Sequence, residues 1–126
     1  MKWSFDSDRP IYAQIIDHIR LFIASGEYKA GEKLPSVREI AQEAGVNPNT
    51  MQRAFAELES QGLVFANRTS GRFITEDEGM IKELKKELAS DAIRTFLDSM
   101  KQIGYNKNET IELMKYYIEE RGKGDE

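Results

Sequence analysis

Ser36-Val37-Arg38-Glu39-Ile40-Ala41-Gln42-Glu43-Ala44-Gly45-Val46-Asn47-Pro48-Asn49-Thr50-Met51 contains two helix starts separated by one stop. Ser36, followed three residues later by Glu39, forms a capping box, in which hydroxyl and carboxylate reciprocally satisfy backbone N–H groups that a first turn leaves without partners. Val37, Ile40, Ala41 and Ala44 give this helix its apolar face, and Gly45 ends it after little more than two turns. Asn47 offers a second cap, and Pro48 fits the first helical position, where its missing N–H is no loss. Met51, Ala54, Phe55 and Leu58 then recur at helical spacing until Gly62. Two short helices joined by a tight turn around Gly45-Val46 are a helix-turn-helix.

Working outward, Ile11, Ile15, Ile19, Phe22 and Ile23 mark an amphipathic helix between Asp8 and Ser25, with Asp8 as its cap and Pro10 in its first turn. Gly26 to Pro35 reads as a connector. Beyond the second helix, Leu63-Val64-Phe65-Ala66 and Phe73-Ile74-Thr75 flank the polar stretch Asn67 to Arg72, which predicts a β-hairpin. A long helix follows from about Glu76, with Ile81, Leu84, Leu88, Ala92, Phe96, Met100 and Ile103 on one stripe broadened by Ile93 and Leu97, and it breaks at Gly104. Asn106-Lys107-Asn108-Glu109 caps a last helix bearing Ile111, Met114, Tyr117 and Ile118, and a frayed tail is expected over Gly122 to Glu126. The expected fold class is mainly α with a small β-hairpin. A winged helix-turn-helix is expected over residues 1–75 and a two-helix C-terminal segment over 76–126.

Composition narrows the function. The chain has 126 residues, 40% of them apolar, enough for one main core with a small appendage. It has no cysteine, which excludes disulfides, thiolate metal sites and cysteine nucleophiles, and its single histidine, His18, excludes a multi-histidine metal site. No nucleophile–base pair, phosphate loop or metal set is visible, so neither an enzyme nor a cofactor is expected. No apolar run exceeds the four residues seen at Leu63 to Ala66, far short of the roughly 18 residues of a membrane span. Met1 to Asp6 meets an acid before an apolar stretch develops, so no secretory signal is read and a cytoplasmic location with no membrane partner is expected. Net charge is −4, but residues 1–75 carry 9 basic and 9 acidic side chains against 9 and 13 in residues 76–126. The negative excess therefore lies wholly in residues 76–126.

The runs Pro10-Ile11-Tyr12-Ala13-Gln14-Ile15, Gly31 to Ala41, Val46 to Phe55, Leu58 to Leu63 and Gly71 to Ile74 resemble, in order and spacing, the DNA-binding domain of GntR-family transcription regulators. The short two-helix tail with Gly104-Tyr105-Asn106 is similar to the YtrA subfamily, whose C-terminal segment serves dimerisation. The resemblance implies a homodimeric repressor of a palindromic double-stranded DNA operator, often near transporter genes, without the large effector domain found elsewhere in the family. Size argues the same way, since a hairpin of two helices cannot bury broad apolar stripes on both by itself and needs a partner. The sequence identifies no small-molecule effector. Tyr116-Tyr117, Met100 and Met114 read as core or dimer packing in preference to a ligand pocket.

Recognition helices turn their N-terminal residues toward base edges. Asn47, Asn49, Thr50, Gln52 and Arg53 all lie in that part of the second helix, whereas its acids, Glu57 and Glu59, fall toward the other end. Asn49 and Gln52 have the amides to pair with adenine, and Arg53 can reach guanine or phosphate. By the resemblance, Arg38 lies on the DNA backbone or a base edge, the alternative being an ion pair with an acid such as Glu57. Ser36 can donate its backbone amide to a phosphate as well as cap its helix. Arg68, Ser70, Gly71 and Arg72 form an acid-free wing tip suited to minor groove or phosphate. His18 has no catalytic or metal partner in the sequence and reads as structural. The alternative function is a winged-helix protein-interaction module that does not touch DNA.

Overall fold

The computed structural model describes the backbone of residues 2–125 and the side chains of residues 2–122. Met1 and Glu126, at the ends of the stretches read as carrying no leader and as a frayed tail, lie outside the described residues. The elements are α1 (Ile11–Ser25), α2 (Val37–Ala44), α3 (Pro48–Ser60), β1 (Val64–Asn67), β2 (Gly71–Ile74), α4 (Glu78–Ile103) and α5 (Lys107–Asp125). The fold is mainly helical with one antiparallel hairpin, as the periodicities predict. Two compact units divide it, Met1–Leu88 and Ala89–Glu126, and α4 passes from the first to the second.

In the first unit, α1 starts later than the expected Asp8. Pro10 is its N-cap and no side chain caps it, because a residue before proline is pushed out of helical backbone, and here that residue is Arg9. Buried Gln14 reaches back instead. Its Nε2 donates to the carbonyls of Asp6 and Arg9, both at 2.9 Å, and its Oε1 accepts from the Asp6 N–H at 2.7 Å. These bonds tie the N-terminal segment to α1 and satisfy a polar group whose burial alone would cost about 1–3 kcal/mol. Trp3 completes the clasp, stacked on His18 with centroids 5.5 Å apart and edge-on to Phe22 at 5.1 Å.

The capping box of α2 is present in full, with the Glu39 N–H donating to Ser36 Oγ at 3.1 Å and the Ser36 N–H to Glu39 Oε1 at 3.2 Å. Gly45 turns the chain at φ +73°, a left-handed conformation that strains any residue with a Cβ. The Val46 N–H then reaches the Ala41 carbonyl at 3.0 Å. Ile15, Ile19 and Ile23 of α1 share one core with Ile40 of α2, Met51, Phe55 and Leu58 of α3, and Val64 and Ile74 of the hairpin. Leu84 of α4 is buried in this core, with Met80, Ile81 and Leu88 packed against it, which is why the unit extends to Leu88.

The stretch expected as a plain connector does more. Leu34 donates to the Arg72 carbonyl and Ile74 to the Glu32 carbonyl, both at 2.9 Å, so Lys33 bridges Phe73 and adds a short third pairing to β2.

The second unit holds the rest of α4 and α5. Gly104, at φ +109°, ends α4, and Asn106 and Glu109 exchange backbone-to-side-chain bonds of 3.0 and 2.9 Å at the start of α5. Met100 and Thr110 are buried, but Ile93, Phe96, Leu97, Tyr117 and Ile118 are exposed. The expected fraying is not seen up to Asp125, since α5 runs through Gly122 to that residue. Glycine weakens a helix by about 1 kcal/mol but, unlike proline, removes no hydrogen bond.

Candidate nucleic-acid interface

Helix α3 buries Met51, Ala54, Phe55 and Leu58 and leaves the opposite face to solvent. Asn47, Asn49, Gln52 and Arg53 are exposed there, and Thr50 is half-buried. Asn47 caps the helix through Oδ1, which accepts from the Asn49 N–H at 2.8 Å. Among the described residues the side-chain amides of Asn49 and Gln52 make no hydrogen bond to protein. Their donors and acceptors therefore face outward as the sequence reading requires.

Arg38 is exposed in the first turn of α2. The ion pair weighed for it is not formed, since Glu57 instead accepts from Gln61 Nε2 at 3.3 Å. The backbone amide of Ser36, read as a phosphate donor, is already given to Glu39. What Ser36 retains is the hydrogen of its hydroxyl, whose oxygen serves as the cap.

In the wing, Asn67 Oδ1 accepts from both the N–H and the Oγ1 of Thr69 at 3.0 Å, which shapes the turn carrying Arg68 and Ser70 into solvent. Gly71 closes it at φ +100°. Arg72 departs from the picture of an open basic tip. Ala66 pairs with Arg72 and Val64 with Ile74, and because side chains alternate along a strand, Arg72 shares the core-facing side of β2 with buried Ile74. Its Nε donates to Glu59 Oε1 at 2.7 Å with both side chains less than a third exposed, so the guanidinium braces the wing against α3.

Two residues of this surface escape sequence reasoning. Lys33 is exposed, and its Cε lies 3.5 Å from where a Cβ on Gly71 would stand, which adds a cation to the wing. It lies in the stretch that reads as a connector, where no local pattern marks it. Tyr12 lies under Arg53, whose guanidinium carbon is 4.0 Å from the ring centroid; no local pattern announces a contact between α1 and α3.

The arginines of this unit fall into two groups. Arg9 pairs with Asp17, Arg20 with Glu87 and Arg72 with Glu59 at 2.7–3.1 Å. Among the described residues Arg38, Arg53 and Arg68 make no ion pair. Among those residues no cluster of His, Asp and Glu has the make-up of a metal site, and no helix is long and apolar enough to cross a membrane.

Comparison with known proteins gives this surface its context. The family model of bacterial regulatory proteins, gntR family, matches residues 11–74. The HTH-type transcriptional regulator YhcF of Bacillus subtilis (strain 168) is 42% identical over 115 residues, 91% of this chain and 95% of that protein. The HTH-type transcriptional repressor YtrA of the same organism is 43% identical over 95 residues, 68% of this chain and 73% of its own. Among solved structures, a GntR family transcriptional regulator from Listeria monocytogenes superposes with a TM-score of 0.82 at 41% identity, over 89% of this chain and 98% of the other. The DNA-binding domain of AraR in complex with operator ORX1 superposes with a TM-score of 0.54 at 29% identity, over 60% of this chain and 96% of the other.

Proposed function

The chain belongs to the GntR family of bacterial regulatory proteins and is a DNA-binding transcription regulator, and from that premise we propose that it is a homodimeric repressor of a palindromic operator, acting in the cytoplasm. The observation that carries the reading is the segregation of its arginines. Among the described residues Arg9, Arg20, Arg72 and Arg94 pair with carboxylates, and Arg38, Arg53 and Arg68 on the candidate surface do not. An unneutralised guanidinium among outward-facing amides is the equipment for phosphate positioning and base readout.

In this reading residues 1–75 bind DNA and residues 76–126 dimerise. Asn47, Asn49, Thr50, Gln52 and Arg53 meet the major groove, and Arg38 and the Ser36 hydroxyl meet the backbone. Arg68, Ser70 and Gly71, with Lys33 beside them, follow the adjoining phosphates, and Arg72 holds the wing at the angle the contact needs. Repression rests on the likeness to the repressor YtrA, and a transporter operon is the target that the subfamily resemblance implies.

The dimer is supported by the apolar side chains that the second unit leaves in water. Phe96, Met114, Tyr117 and Ile118 line an open groove of about 390 Å³ between α4 and α5, and Ile93 and Leu97 are exposed on α4. Burial against a second copy covers them symmetrically and spaces two α3 helices for two half-sites.

A salt-dependent titration of the protein against the duplex upstream of its own gene, with a shuffled duplex as control and light scattering for the mass, tests the reading. A dimer preferring the native duplex by about 10³-fold or more is expected. A monomer, or equal affinity for both duplexes at every salt concentration, refutes it.

A further inference from the structure

Arg53 is already engaged by its own protein before any DNA arrives. Its guanidinium carbon sits 4.0 Å from the centroid of the Tyr12 ring, a face-on cation–π distance, and among the described residues it makes no ion pair. Tyr12 lies in the first turn of α1, half-buried against the core that Ile15 and Ile16 also join. Its ring is therefore a fixed surface.

A guanidinium carries all its N–H donors in its own plane and hydrogen-bonds poorly through its faces. Stacking on a ring covers one face while leaving every in-plane donor open. It also confines a long side chain that otherwise loses its rotamer freedom when it binds. Arg72 shows the contrasting arrangement on the other side of the same helix: its guanidinium lies near Phe55, but Glu59 takes its Nε donor. One arginine is aimed with its donors open, and the other is consumed as a brace.

We propose that Tyr12 is a positioning residue for operator recognition, a ring supplied by α1 that pre-sets the Arg53 guanidinium of α3 with its edge toward DNA. The proposal rests on the reading of Arg53 as a DNA contact. Tyr12 itself touches no base; it acts through Arg53.

The test is a double-mutant cycle on the full chain, titrated against the duplex upstream of its own gene and its shuffled control, with Tyr12→Leu, Tyr12→Phe, Arg53→Ala and the Tyr12→Leu/Arg53→Ala pair. Tyr12→Leu is expected to weaken native-duplex binding roughly two- to fivefold. It should cause no further loss in the Arg53→Ala background, and Tyr12→Phe, which keeps the ring, should bind like the parent. The Arg53 side-chain resonances of the DNA-free protein should show a ring-current shift that Tyr12→Leu abolishes and Tyr12→Phe retains. A Tyr12→Leu loss that persists undiminished without Arg53 overturns the proposal in favour of a packing role, as does Tyr12→Leu binding like the parent. A Tyr12→Phe loss equal to that of Tyr12→Leu overturns it in favour of the hydroxyl. If Arg53→Ala binds the native duplex like the parent, the reading of Arg53 as a contact fails first, and the proposal with it.

Discussion

Among the described residues the outward amide of Gln52 has no partner, so in our reading its gain comes at the DNA. Gln52→Ala should reduce affinity for the native duplex by about 1–3 kcal/mol and leave shuffled duplex nearly unchanged. Arg68→Ala, in contrast, removes a phosphate contact in our reading; competition titrations should show equal weakening on both duplexes and a salt slope shallower by about 1. A reversed pattern would exchange the two roles. Tyr28 gives a residue-scale prediction about stability. Burial, and then the charges of Glu43, Glu32 and Glu27, push its phenol from 10.0 up to about 12. The folded protein therefore holds this proton more tightly than the unfolded chain, and the stabilisation is complete below pH 10. It is lost as pH rises from 10 towards 12, up to about 3 kcal/mol in all. Urea titrations across that range should show a steeper fall for the parent than for Tyr28→Phe, and parallel curves would contradict the shift.

At the scale of elements, short helices depend on their ends. The eight residues of α2 are too few to be stable alone, so the reciprocal bonds of Ser36 and Glu39 count for much of its local stability. Ser36→Ala should cost about 1 kcal/mol, read as a lower urea midpoint with an unchanged slope. A midpoint equal to the parent's would mean that tertiary packing alone holds the helix. The elements also show what local patterns reveal. The caps at Ser36 and Asn47, the glycine stop at 45 and the two strands around the Asn67 turn are all chemistry between near neighbours in sequence, and each was readable. Asp8 does not cap α1 because Pro10 keeps Arg9 out of helical backbone, and the segment before the helix is held by the buried side chain of Gln14. Periodicity marks apolar positions and carries no signal for a buried amide.

On the scale of the whole molecule, the second unit has more apolar surface than its two helices can hide. Leu97, 47% exposed on α4, is placed to test the consequence. In our reading of this unit as the dimer contact, Leu97→Glu should give a monomer by light scattering, with the helical signal retained, and should reduce native-duplex affinity by orders of magnitude, because the two proposed half-sites no longer act together. Dimeric mass in this variant would move the interface elsewhere. Operator affinity unchanged in a monomer would separate dimerisation from recognition.

The sequence by itself determined the order of elements, the helix-turn-helix and its wing, and which residues of α3 face outward, because caps, glycine turns and apolar spacing act over a few residues of chain. Tertiary structure alone decided how the arginines are employed. Arg72 meets Glu59, Lys33 comes beside Gly71, and Arg53 lies over Tyr12. Each outcome depends on two elements packed at a particular register, and a charge read from sequence is only a charge until packing supplies the carboxylate or ring it faces.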